Sequence, residues 1–86
     1  MPETFIVTIA DTKGRFEIDL EIPSVLPFSS FKPKLLEILK TIDGQIFGGW
    51  KDYKLIFNRR PFKDNDTMAN LGAFDGSKLT VEQVLQ

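Results

Sequence analysis

The chain has 86 residues, 11 Lys and Arg against 12 Asp and Glu, no His and no Cys, and a formal net charge of -1. With 42% hydrophobic and 27% charged residues it matches ordinary globular usage and lies outside the low-hydrophobicity, high-charge range of disordered segments. A chain this short buries roughly two-thirds of its unfolded surface, enough for one core but not for a deep enclosed substrate chamber as well. The expected organisation is therefore a single domain over residues 1–86, compact from about 4 to 82, with its function on the surface.

Phe5-Ile6-Val7-Thr8-Ile9-Ala10 is β-branched and aromatic, and Asp11-Thr12-Lys13-Gly14 interrupts it with turn chemistry. From Phe16 the alternation is strict: Phe16, Ile18, Leu20 and Ile22 are apolar, and Glu17, Asp19 and Glu21 are acidic. That period of two predicts a strand with one buried and one wet face, paired with the first as a β-hairpin. A slip of one residue would bury three carboxylates, so the register is well specified. Pro23 ends this strand.

A loop with Pro27 leads to Ser29 and Ser30, either able to cap a helix. Only the first four N–H groups of a helix lack intrahelical acceptors, so Pro33 favours a start near Ser30 and predicts a helix to about Thr41. Phe28, Phe31, Leu35, Ile38, Leu39 and Ile42 form one apolar stripe, with Lys32, Lys34, Glu37 and Lys40 facing water and Leu36 off the stripe. Asp43-Gly44 is the stop signal, Gly44 being able to take the left-handed cap conformation.

Gln45 to Asp52 reads as a loop with a tight Gly48-Gly49 pair, and Tyr53-Lys54-Leu55-Ile56-Phe57 as a third strand. Asn58-Arg59-Arg60-Pro61 is a turn, Phe62 restarts apolar burial, and Asp64-Asn65-Asp66 is a polar break that can cap a helical turn over Thr67 to Leu71. Asp75-Gly76-Ser77 is a further turn, and Leu79-Thr80-Val81 a last strand with Val84-Leu85 in its tail. One long amphipathic helix beside so few strands must lie across one face of a mixed sheet of four or five strands, which makes the fold class α+β.

The absence of His and Cys removes the usual neutral-pH base, thiol nucleophiles and nitrogen- or sulfur-ligated zinc. No catalytic, cofactor-binding or metal-ligating residue is assigned, and no small-molecule substrate is expected. Glu17, Asp19 and Glu21 share one strand face and read as a solvated surface that blunts aggregation. Asp64 and Asp66 read as turn residues, since calcium takes about 6–8 oxygen ligands. Arg59, Arg60 and Lys63 form the densest basic cluster, but a nucleic-acid surface needs a wider basic stripe than this slightly acidic chain offers. The cluster suits a turn or the polar rim of a protein interface. Ile6 and Ile56 should point out of the sheet away from the helix, and Phe74 should sit uncovered in a turn. Such residues mark a binding surface only where they are contiguous. Trp50, at a loop-to-strand joint, fits either the core edge or an interface anchor.

The order of elements and their joints resemble the ubiquitin-like β-grasp family from Phe5 to about Val81. The resemblance is carried by Lys54-Leu55-Ile56-Phe57, then Phe62, then Asp66-Thr67-Met68-Ala69-Asn70-Leu71-Gly72, then Leu79-Thr80-Val81. Within that family, Phe16-Glu17-Ile18-Asp19-Leu20-Glu21-Ile22-Pro23, Leu26-Pro27, Leu35-Leu36-Glu37-Ile38-Leu39, Trp50 and Leu71-Gly72-Ala73-Phe74-Asp75-Gly76-Ser77 resemble the bacterial YukD/EsaB group. The resemblance implies a cytoplasmic, non-enzymatic accessory component of a type VII (WXG100/ESX-type) secretion system that binds proteins of the machinery. Conjugated relatives need a tail ending in Gly-Gly, whereas this chain reads Glu82-Gln83-Val84-Leu85-Gln86, so conjugation is not expected. Ile56 matches the centre of the surface that ubiquitin receptors grip, but its neighbours Thr80 and Glu82 are polar, which implies a different partner. The expected protein-binding residues are Ile56, Ile6, Lys54, Arg59, Arg60 and Phe74. Two further readings are a ubiquitin-like adaptor of another pathway and a small auxiliary subunit of a multicomponent monooxygenase. Neither a basic leader followed by an apolar run nor a stretch of ~20 apolar residues is present, so neither export nor direct membrane insertion is expected.

Overall fold

The computed structural model describes residues 3–85, and the readings placed on Met1, Pro2 and Gln86 lie outside the described residues. Strand β1 (Thr4–Asp11) and strand β2 (Glu17–Pro23) form the expected hairpin, with Phe5 opposite Ile22, Val7 opposite Leu20 and Ile9 opposite Ile18. Helix α1 (Phe28–Ile42) follows, then a short helix α2 (Gly44–Phe47), strand β3 (Tyr53–Phe57), strand β4 (Arg60–Pro61) and strand β5 (Lys78–Gln83). The sheet order is β2-β1-β5-β3-β4, with β1 and β5 parallel and the other pairs antiparallel. The fold class is α+β, a mixed five-stranded sheet with α1 across one face.

The core lies between α1 and the inward row of each central strand. Ile9, Leu39, Phe47, Leu55, Leu79 and Val81 are fully enclosed, and each such side chain contributes roughly 1.5–3 kcal/mol by leaving water. Phe28 stands edge-on to Tyr53 at 5.9 Å and to Phe31 at 5.4 Å. The Tyr53 hydroxyl donates to the Lys32 carbonyl at 2.7 Å, and Lys32 Nζ meets Asp52 at 2.8 Å, so helix and sheet are tied by polar as well as apolar contacts.

Three local expectations need correction. Helix α1 begins at Phe28 with Pro27 as its cap, two residues before Ser30, and no side chain caps it. Its first N–H groups are instead satisfied by a distant loop: Phe28 donates to the Asp66 carbonyl at 2.8 Å and Ser29 to the Asp64 carbonyl at 3.0 Å. With those donors satisfied, the helix tolerates Pro33 in its second turn at the loss of one internal bond. Gly44 is not a left-handed cap. Asp43 ends α1 and its carboxylate accepts from the Gln45 and Ile46 N–H groups, so it starts α2 at once. The single helical turn over Thr67 to Leu71 is present, the Leu71 N–H donating to the Thr67 carbonyl at 3.2 Å, but its cap is Thr67, whose Oγ1 accepts from the Asn70 N–H at 3.0 Å, and not Asp66, which is turned back to Lys63.

The apolar stripe is also rotated. Phe28, Phe31, Leu35 and Leu39 are buried, Ile38 and Leu36 are half-buried, and Ile42 is exposed. Part of the expected loop between Gln45 and Asp52 is structural: Phe47 is fully buried in α2, and Trp50 meets it edge-on at 4.7 Å. Trp50 is thus a core residue.

Candidate protein-binding surface

Because side chains alternate across a strand, the inward row Leu55 and Phe57 of β3 leaves Lys54 and Ile56 on the face away from α1. Ile56 is half-buried, with Thr80 opposite it on β5 and Pro61 opposite it on β4. Lys54 is exposed two residues along the same strand, opposite Glu82. The turn joining β3 to β4 contains only Asn58 and Arg59, with φ of 55° and 67°. Positive φ at both central residues matches the right-handed twist of the flanking strands in a two-residue hairpin. Asn adopts that conformation readily, whereas for Arg it costs about 1–2 kcal/mol. Arg59 and Arg60 are both exposed there. Ile56 and Lys54 therefore share the outer face, with Arg59 at the turn that ends the strand, whereas Arg60 stands opposite the inward-facing Phe57 and lines a groove with Phe57 and Leu71.

Ile6 and Phe74 lie elsewhere. Ile6 is 52% exposed and pairs with Glu21, four residues along β1 from Ala10, the residue level with Thr80 and Ile56. At strand spacings this separates Ile6 from Ile56 by about 16 Å. Phe74, 63% exposed, heads the turn that holds this far end. The Ile6 N–H donates to Asp75 Oδ1 at 2.9 Å, the Gly76 N–H to the Ile6 carbonyl at 2.8 Å, and the Phe74 N–H to Ser77 Oγ at 3.0 Å. Arg60 apart, the expected site thus divides into two ends of one face, with Thr8, Ala10 and Lys78 between them.

Charge is unevenly spread over the outer face. Glu17, Asp19 and Glu21 line the β2 side, partly engaged by Lys78 at 3.2 Å, Thr8 at 2.7 Å and Thr4 at 3.3 Å. Lys54 and Arg59 lie at the opposite side. Burial pushes the Asp11 carboxyl up, but hydrogen bonds from Arg15 and the Lys13 N–H outweigh it and hold the group below the usual carboxylate range. The Lys32 ammonium and the Tyr53 N–H lower Asp52, and burial raises the Tyr53 phenol. These groups fasten turns and the helix, and none adjoins Ile56. Sequence reasoning overlooked Val25 and Leu26, which are 64% and 38% exposed. Two apolar residues between Ser24 and Pro27, outside any periodic run, were the available signal.

Among the described residues no helix is long and apolar enough to cross a membrane, and no carboxylate group of three or more is placed to hold a metal ion.

No family model and no curated protein matches the chain. Solved structures do. The ubiquitin-like domain of the Mycobacterium tuberculosis type VII secretion system protein ECCD1 is 24% identical, with a TM-score of 0.75 over 94% of this chain and 98% of that one. The EccD5 ubiquitin-like domain from Mycobacterium xenopi is 16% identical, with a TM-score of 0.79 over 99% of each chain. A chain of the MycP5-free ESX-5 inner membrane complex gives 16% identity and a TM-score of 0.79 over 99% of this chain. The present chain spans only 22% of that chain's length. The fold is ubiquitin-like.

Proposed function

We propose that this chain is a non-enzymatic protein-binding module serving as an accessory component of a bacterial type VII (WXG100/ESX-type) secretion system, akin to the YukD/EsaB group and acting in the cytoplasm. The observation that carries the reading is the end-to-end likeness to the ECCD1 ubiquitin-like domain, a named type VII secretion protein. Physical features agree with a binding role. The half-buried Ile56 sits between Thr80 and Pro61, with Lys54 close by and Arg59 at the rim. An apolar centre that can be fully desolvated inside a charged rim is the arrangement in which a few residues dominate binding. Rim charge mainly speeds encounter and selects the partner's sign, which here is acidic.

Docking is rigid in this account. The β3–β4 hairpin is held by backbone pairing on both sides of Asn58 and Arg59, and the strand beneath it packs Leu55 into the core. Affinity purification of the intact protein from its native host tests the assignment. Enrichment of type VII machinery components is the expected result. Recovery of ubiquitin receptors or of an oxygenase in their place would overturn it.

A further inference from the structure

Strand β2 is a free edge of the sheet. The Asp11 N–H donates to the Phe16 carbonyl at 3.1 Å, which makes these two a hydrogen-bonded pair just beyond the start of β2. Antiparallel pairing alternates, so the next unbonded positions, Glu17, Asp19 and Glu21, turn their N–H and carbonyl groups away from β1 and out along the open edge. Among the described residues nothing pairs with these backbone groups of the three residues, which face outward in one row. Their acidic side chains are the expected device against uncontrolled edge pairing.

The other side of the same strand is unlike a surface built only to repel. Phe16, Ile18 and Leu20 are half-buried rather than buried, because α1 lies over the central strands and stops short of the edge. Between β2 and α1 runs a groove of about 270 Å³ lined by Leu20, Ile22, Leu26, Phe31, Leu35 and Ile38, with Lys34 and Glu21 at its rim. Val25 stands exposed next to Leu26.

We propose that this edge and groove receive an extended segment of a partner protein, added beside β2 as a sixth strand, with apolar residues alternating with basic ones. Backbone pairing with Glu17, Asp19 and Glu21 would supply affinity, and alternate side chains would supply specificity. Residues of the added strand that face inward enter the apolar groove. Those that face outward lie beside the Glu17, Asp19 and Glu21 carboxylates, where positive charge is favoured. Lys78 offsets Glu17 alone, so Asp19 and Glu21 set the sign. A second copy of this chain fits poorly: antiparallel pairing of two β2 edges about Asp19 sets Asp19 against Asp19 and Glu17 against Glu21, and like charges directly opposite destabilise. This surface is separate from the outer face around Ile56, which is three strands away.

An NMR titration of the labelled protein with a blocked peptide of alternating valine and lysine tests the proposal, beside a peptide with glutamate in place of lysine. Saturable shifts at the amides of Glu17, Asp19 and Glu21 and at the methyl groups of Leu20 and Ile38 are expected, with little response to the glutamate peptide. Asp19→Pro removes an outward N–H that β1 does not use, a change edge strands tolerate, and should weaken the lysine peptide roughly tenfold or more. If that variant does not fold, Ile38→Lys, which puts a charge at the groove wall and leaves the edge intact, should produce the same loss. Equal binding of the two peptides, unchanged affinity in a folded Asp19→Pro protein, absence of saturable shifts, or shifts confined to Lys54, Ile56 and Arg59 would each overturn the proposal. Apart from the last, which would place the peptide on the outer face, these outcomes leave the reading of that face as a partner surface untouched.

Discussion

Replacing Arg59 by glycine should make the protein more stable while weakening its function. Arg59 holds a φ of 67°, which costs an ordinary L residue about 1–2 kcal/mol. Glycine removes that cost but adds about 0.5–1 kcal/mol of backbone freedom to the unfolded chain. The net gain is on the order of 0.5–1 kcal/mol. For a chain of 86 residues, with an unfolding entropy of about 2.1 cal/mol/K per residue, this raises the melting temperature by roughly 3–5 °C. Arg59→Ala is the control, since it deletes the same side chain and keeps the left-handed strain. Calorimetry should place Arg59→Gly above the parent and Arg59→Ala at or below it. Both variants should slow association with an acidic partner to a similar extent and reduce its dependence on salt. A melting temperature for Arg59→Gly at or below that of the parent would refute the argument that arginine is kept at this turn against a backbone cost.

Leu39→Ala, at a fully enclosed position, should cost about 2–5 kcal/mol. By the same entropy the melting temperature falls by more than roughly 10 °C, and a loss of only a few degrees in thermal denaturation would mean that α1 is seated differently. Acid should destabilise the protein through Asp11, whose carboxyl is lowered from its unfolded value of 3.8. A lowered folded-state pKa contributes stability above the unfolded value and loses it as pH falls through the folded one. Denaturant titrations from pH 6 down to 2 should therefore show stability declining below about pH 4, and Asp11→Asn should flatten that decline while lowering stability at pH 6.

The strands were legible because their inward positions alternate without interruption. Phe5, Val7 and Ile9 against Ile22, Leu20 and Ile18 admit one register, and the observed pairs are those. What the local pattern could not show was decided by distant contacts. The start of α1 depends on carbonyls of Asp64 and Asp66, far along the chain from Phe28, so a reading based on local caps chose Ser30. Phe47 looked like a loop residue because α2 is a single turn, started by the Asp43 carboxylate. The half-exposure of Phe16, Ile18 and Leu20 follows from β2 being an edge strand, and strand order is not written in the alternation. For the candidate surface, the outward direction of Ile56 and Ile6 was readable from the period of two. Their separation was not, because it depends on the parallel register of β1 with β5.

The most direct test of the central claim compares the intact protein with Ile56→Asp in affinity purification from the native host, with thermal denaturation run on both. Ile56 is half-buried on the outer face, so the variant should melt within a few degrees of the parent. Secretion-machinery components recovered with the parent should be lost with Ile56→Asp. Their full retention by the folded variant would contradict the account, since the partner would then be held by some other part of the molecule.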